Sequence, residues 1–337
     1  MIHLLLGPAD FSDGIAHRDS CVYWQDDLSV GPTPATASLT ELSQIREAFW
    51  NMHAPLAGLL ESGENRAVAQ QNDAREPTRT VFSLAQRDGQ ISRLSSYPEV
   101  VAWCGPNRRE MFMLFALVHF LDSTDLRRVM IAPCPPWGAQ SCNAEQLDRI
   151  FDARSPIGPE LAALARDVWT QYTAPNPTDL GETAARLRDQ NPTLARVLSW
   201  VLDEYPSLDN GLSRTEETLL RNSGDGNSVI KIVAKTIGES EDTIGDMPLF
   251  NQVWGSLSGG APLLEPAEPG VSLTDLDSWQ AFRRLAVRPT ALGKQLLKGE
   301  SDYVQINGLD RWIGGVHLEG HTVPWRRDRQ TGRLVTA

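Results

Sequence analysis

Four short apolar runs, each ending in turn-forming residues, constrain this chain more than any other feature. The runs at 2–6, 21–24, 100–103 and 129–132 are nearly continuous. Strands buried on both faces look like that. They exit into Gly7-Pro8-Ala9-Asp10, Asp26-Asp27, Cys104-Gly105-Pro106-Asn107 and Pro133-Cys134-Pro135-Pro136, all turn chemistry. Helical spacing fills the intervals: Leu42, Ile45, Phe49 and Met52, then the Met/Phe/Leu-rich stretch 108–121, then Leu147, Ile150 and Phe151. Strands alternating with helices predict an α/β fold with a short, mostly parallel sheet and flanking helices. The interval 33–98 is long for one crossover. It reads as helices plus a hairpin, with arms at 80–84 and 90–94 around Arg87-Asp88-Gly89, covering the strand ends as a cap.

A chain of 337 residues exceeds one ordinary core. An apolar content of 41% with 22% charged residues excludes disorder as the default state. The reading divides the chain into an α/β domain (1–158), a helical connector (159–210) and a winged-helix-like α+β domain (211–337). The connector reads as helices at 160–172, 180–189 and 192–204. After it, Ser213 and Glu216 have capping-box spacing at a helix start. Helices at 229–237 and 247–257 follow, with a strand at 263–265. Val287-Arg288-Pro289-Thr290 then leads into a Gly- and Leu-bearing helix. That rhythm suggests a winged helix by analogy of architecture alone.

The longest apolar run, 111–121, is broken by His119 and is far short of the ~20 residues a membrane span needs, so no membrane partner is expected. The start, Met-Ile-His-Leu-Leu-Leu-Gly, lacks the basic stretch and cleavage site of a signal peptide. Cys21, Cys104, Cys134 and Cys142 match no common zinc spacing and read as reduced cytoplasmic thiols. His317 and His321 are four apart, but the surrounding glycines argue for strand and turn, so no metal is expected. The net charge is −12, yet residues 283–337 carry ten Lys+Arg against five Asp+Glu. The acidic remainder disfavours nucleic acid as a partner, while the basic end Trp325-Arg326-Arg327-Asp328-Arg329 keeps it open, as it does a protein partner. Asp310, Arg311 and Trp312 read as an internal pair with aromatic packing.

The functional signal is Tyr23-Trp24-Gln25-Asp26-Asp27-Leu28-Ser29-Val30-Gly31-Pro32, a buried strand running into two carboxylates. A folding core does not need two acids at a strand end, whereas α/β folds bind ligands there. Asp26 and Asp27 are the catalytic candidates, as acid/base groups or as holders of a hydroxyl or cation. Neighbours on an extended segment face opposite ways, so they share a role only if the chain turns there. Alternatively Asp27 accepts N–H bonds from the turn at Ser29-Val30-Gly31. Gly105, Asn107 and Arg108 sit at a strand-to-helix junction that either holds an anion, helped by Arg108 or Arg109, or is a tight turn capped by Asn107. Trp103 is a stacking candidate or a core residue. Arg46 reaches an anion or pairs at the surface with Glu41 or Glu47. Asp10 and Ser12 complete the ligand-binding set. His3 and His17 are weaker acid/base candidates. No Walker loop, Gly-x-Gly-x-x-Gly, Gly-x-Ser-x-Gly or His-Glu-x-x-His is present.

These residues also resemble a known family. Gln25-Asp26-Asp27-Leu28-Ser29-Val30-Gly31-Pro32 resembles the hallmark of the bacterial family called domain of unknown function 1835, and Trp103-Cys104-Gly105-Pro106-Asn107 resembles its Trp-x-Gly-x-Asn element. Arg46 and Trp50 fall where that family has an Arg and an aromatic residue. Segments 211–216, 245–250 and 308–318 resemble the C-terminal region often fused to it. The first loop departs from the family pattern: Pro8 stands where Gly-Asp-Ser is usual and lacks an N–H for a phosphate. The family lends no activity and no cofactor. The expectation is a polar small-molecule site in the α/β domain, in an enzyme that transfers or hydrolyses a group. The alternative is a ligand-responsive regulator or adaptor whose C-terminal domain binds DNA or protein.

Overall fold

The computed structural model describes residues 1–7, 9, 21–52, 82–242 and 244–336. Asp10, Ser12, His17 and the hairpin arm at 80–81 lie outside the described residues. The chain forms two compact units. One comprises 1–47, 83–202 and 312–317, the other 48–82, 203–311 and 318–337. Residues 159–202, read from the sequence as a connector, therefore belong to the first unit.

In the first unit, β1 (Ile2–Leu5), β2 (Cys21–Tyr23), β4 (Val100–Cys104), β5 (Val129–Pro133) and β6 (Ser155–Pro156) form a five-stranded sheet in the order β2-β1-β4-β5-β6. All pairs are parallel except β5–β6. β3 (Gly31–Pro32) stands outside it and pairs in parallel with Ile313 and Gly314, where the chain re-enters the unit. The helices are α1 (Leu39–Met52, its last residues in the second unit), α2 (Ala85–Ile91), α3 (Arg108–Phe120), α4 (Ser123–Leu126), α5 (Ala144–Asp152), α6 (Pro159–Thr173), α7 (Thr178–Gln190) and α8 (Pro192–Leu202). α3 buries Phe112 and Phe115 completely, and Phe112 meets Tyr172 of α6 at 4.2 Å between ring centroids. That contact joins the connector helices to the sheet's own covering helix.

The expected hairpin is a helix instead. Leu84, Arg87 and Ile91 fall at helical spacing and are all buried, so Arg87-Asp88-Gly89 is a helical turn. Arg87 lies over the Trp24 ring at 4.5 Å and donates to Ser43 Oγ at 2.6 Å, so α2 covers the end of β2. Gly315 is required by close approach: a Cβ there would lie 1.9 Å from the Thr173 carbonyl oxygen.

The second unit contains α9 (Arg214–Ser223), β7 (Asn227–Ser228), α10 (Val229–Glu239), α11 (Asp246–Ser258), β8 (Leu264–Pro266), α12 (Trp279–Arg284), β9 (Ala286–Pro289), α13 (Ala291–Leu297) and α14 (Tyr303–Asn307). β7, β9 and β8 make an antiparallel sheet in that order. The Ser213–Glu216 capping box forms as its spacing predicts. Leu219, Leu220, Ile232, Val233, Phe250 and Phe282 lie in one core. β10 (Leu309–Gly314) and β11 (Val316–Gly320) follow, and β12 (Trp325–Asp328) pairs antiparallel with β13 (Arg333–Thr336).

The basic end is spent within this unit. Arg326 donates to both Asp302 oxygens at 3.1 and 3.2 Å, Arg327 pairs with Asp203 at 2.9 Å, and Arg329 pairs with Glu217. Arg311 pairs with Glu216 rather than Asp310, which is exposed. Among the described residues no helix is long and apolar enough to cross a membrane.

Candidate functional site

The sheet order makes β1 the strand from which the connections diverge. The chain goes from β1 to β2 on one side, then crosses to β4 on the other. Open α/β sheets bind ligands at the carboxyl ends of strands flanking such a switch. β2 leads its exit segment across that end: Trp24 and Gln25 donate their N–H groups to the Leu5 and Leu6 carbonyls at 2.8 and 3.4 Å. Gln25 then takes φ 59°, the only positive φ outside glycine among the described residues. This costs of order 1–3 kcal/mol and persists only where the surroundings enforce it. The turn breaks the extended alternation and gives the two carboxylates separate tasks.

Asp26 points inward and binds Arg46 of α1. Arg46 Nε and Nη2 reach Asp26 Oδ1 and Oδ2 at 2.8–3.2 Å. Its remaining donors go to the carbonyls of Asp27 (2.7 Å), Val30 (2.5 Å) and Pro32 (3.1 Å). Both side chains are fully buried. Arg46 is therefore the peg that shapes segment 26–32, not a surface cation. The surface partners expected for it are engaged elsewhere: Glu41 accepts from Ala37 N–H, and Glu47 from Leu84 N–H. Asp26, a catalytic candidate in the sequence, is thus engaged by Arg46 inside the segment.

Asp27 is half committed. Ser29 donates its N–H and Oγ–H to Oδ1 at 3.1 and 2.5 Å. The turn reading is thus correct for that oxygen. Oδ2 is buried, makes no hydrogen bond among the described residues, and faces Arg109 Nε at 3.2 Å. Arg109 comes from the first turn of α3, after β4, so the pair reaches over the end of β1. Its side chain is 30% exposed against 6% for Asp27. The partly exposed Arg109 side chain can meet an anion, and the buried Asp27 carboxylate can accept a hydroxyl proton.

The turn after β4 is occupied by the protein's own carboxylate. Glu110 Oε2 accepts Gly105 N–H at 2.6 Å and Asn107 Nδ2 at 3.0 Å. Asn107 Oδ1 accepts Glu110 N–H at 2.9 Å, capping α3, and its Nδ2 also donates to Pro136 O at 3.0 Å. Gly105 and Asn107 therefore do not form a vacant anion cradle. Burial raises the Glu110 carboxyl to about 7, against the opposing pull of the Gly105 and Asn107 hydrogen bonds and the Arg109 charge. Gly105 is fixed by space, since a Cβ would lie 2.3 Å from Pro135 O.

Arg108 is completely buried, so Arg109 is the residue of this pair that reaches the surface. Trp103 is also completely buried. It donates Nε1–H to His3 Nδ1 at 3.1 Å and stacks on Phe151. That removes Trp103 as a ligand platform, and His3 serves it as acceptor. Burial raises the thiols of Cys104 and Cys134, Glu110 adding to it, so they stay protonated and unreactive. His317 stacks on Trp312 at 4.4 Å, and a ring nitrogen of His321 lies 3.0 Å from Gln305 O. No group of three or more His, Cys, Asp or Glu among the described residues could hold a metal ion.

Sequence reading offered Arg109 only as the alternative to Arg108 for an anion at the helix start, and it missed Glu110. Helical geometry held a signal: with Asn107 at the cap, the residue three further on lies at the position that folds back on the turn. No protein-family model matches this chain, and no curated protein matches it.

Proposed function

We propose that the N-terminal unit binds a polar small molecule at the carboxyl edge of its sheet, over the end of β1. Asp27 and Arg109 are the contact residues, in an enzyme that transfers or hydrolyses a group on that molecule. The observation that carries the reading is the Asp27–Arg109 pair across the switch point, with Asp27 Oδ2 buried and making no hydrogen bond among the described residues. Asp26 and Arg46 hold the segment in place. A cytoplasmic setting belongs to the same reading, supported by four buried thiols packing as small apolar residues. Kinship with domain of unknown function 1835 is part of the proposal too. Its hallmark residues 25–32 and 103–107 are those that follow β2 and end β4.

The test is a thermal-shift panel of nucleotides, sugar phosphates, amino acids and divalent cations on wild type, Asp27→Asn and Arg109→Ala. A ligand of the folded state raises the midpoint. A compound that shifts wild type and neither variant supports the reading. Equal shifts in all three proteins defeat it.

A second reading has its own support. The order α9-β7-α10-α11-β8-α12-β9, with sheet order β7-β9-β8, is compatible with a winged helix whose wing strands β8 and β9 are joined through α12, as a regulator or adaptor would carry. The helix that would enter a DNA groove, α11, has no Lys or Arg and begins with Asp246. Arg326, Arg327 and Arg329 are engaged internally. A protein partner fits this surface better than DNA does. Duplex DNA binding that falls steeply with salt would restore the nucleic-acid reading.

A further inference from the structure

One side chain on the carboxyl edge has no role in the fold described so far. Of the ten tryptophans, all within the described residues, Trp137 alone is exposed, at 47%. It follows β5 on the loop Pro133-Cys134-Pro135-Pro136-Trp137-Gly138. The backbone on both sides of it is fixed. Pro136 O accepts Asn107 Nδ2 at 3.0 Å, and Gly138 N–H closes a turn onto Pro135 O at 2.9 Å. Gly138 has φ 77° and sits so close to Glu110 that a Cβ would lie 2.3 Å from Oε1. Prolines restrict the loop further. A large aromatic ring is thus held in water on a rigid support, beside the turn that starts the helix bearing Arg109.

No other large apolar side chain is exposed on the described loops that follow β1, β2, β4 and β5. A protein-docking face needs a contiguous patch, whereas a single ring suits one flat ligand. We propose that the ligand of this edge carries a flat heteroaromatic ring of the nucleobase kind, which stacks on Trp137. Its hydroxyl-bearing part lies toward Asp27 and any anionic group toward Arg109. The inference rests on the carboxyl-edge site proposed above and adds the ring to it.

Calorimetric titration of the full chain with AMP, UMP and ribose 5-phosphate tests it, using wild type, Trp137→Phe, Trp137→Ala and Asp27→Asn. The expected result is nucleotide binding that Trp137→Ala weakens about tenfold, the scale of one lost base stack. Trp137→Phe restores much of it, and ribose 5-phosphate binding is the same in wild type and Trp137→Ala. Trp137 is exposed, so both variants fold with the wild-type midpoint. If the nucleotides bind no better than ribose 5-phosphate and Trp137→Ala changes nothing, the ring is wrong, while loss of binding in Asp27→Asn keeps the site. If nucleotide binding depends on Trp137 but not on Asp27, the ring stands and the Asp27 site falls. If no probe binds wild type, the nucleobase inference is overturned, and the compound panel alone decides the site.

Discussion

Asp26 and Arg46 form a fully buried ion pair in which one guanidinium also satisfies three backbone carbonyls of the segment it encloses. Removing one member of such a pair strands the other charge and costs about 3–5 kcal/mol. Arg46→Ala should cost at least as much as Asp26→Ala, because the carbonyls of Asp27, Val30 and Pro32 lose their donor as well. Urea unfolding measures both. An Arg46→Ala protein within about 1 kcal/mol of wild type would show that segment 26–32 is held otherwise.

Asp27 should behave differently. Asp27→Asn keeps an oxygen for the two Ser29 donors, so stability changes by about 1 kcal/mol or less. Its loss appears in ligand binding, where the carboxylate charge opposite Arg109 is gone. Ser29→Ala removes the 2.5 Å hydroxyl bond and should lower stability by about 1 kcal/mol while leaving binding within a few-fold.

Glu110 should make stability depend on pH. Its folded carboxyl is raised from 4.5 to about 7, so between those values the folded state binds the extra proton. Its contribution is present below the unfolded value and is lost as pH rises through 7, by about 3 kcal/mol at most. Glu110→Gln should flatten the stability profile between pH 5 and 7 and be no less stable than wild type at pH 8. Denaturant midpoints across that range supply the comparison. An unchanged slope in Glu110→Gln would assign the dependence to another group.

The C-terminal arginines should act on stability. Arg326 and Arg327 are buried against Asp302 and Asp203, so Arg326→Ala or Arg327→Ala should each lower stability by about 3 kcal/mol. Any weak association with duplex DNA should remain unchanged. A variant of wild-type stability that has lost DNA binding would overturn this assignment.

Gly315→Ala should cost about 2 kcal/mol or more, since its methyl would enter the Thr173 carbonyl. The folded fraction in a urea series reads this directly.

Strands and helices were legible wherever a local pattern decides them. The apolar runs became β1, β2, β4 and β5, and the spacing of Leu42, Ile45, Phe49 and Met52 became α1. The hairpin reading failed at Arg87-Asp88-Gly89, where turn-forming residues sit inside a helix held by Leu84 and Ile91. In the site, the position of Asp26 and Asp27 was legible and their division of labour was not. That division depends on the Gln25 turn and on Arg46 and Arg109, contacts that no local rule encodes. Trp103 misled because a tryptophan at a strand end reads alike whether it faces the core or a ligand. The exposed tryptophan of the next strand's loop, Trp137, carries no local signal among its prolines.

The most direct test of the central claim is hydrogen–deuterium exchange of the full chain with and without the compound giving the largest midpoint shift. The account predicts protection concentrated in peptides covering 24–30, 104–110 and 133–138, absent in Asp27→Asn. Protection confined to 211–337, or equal protection in Asp27→Asn, would contradict a ligand site built on Asp27 and Arg109.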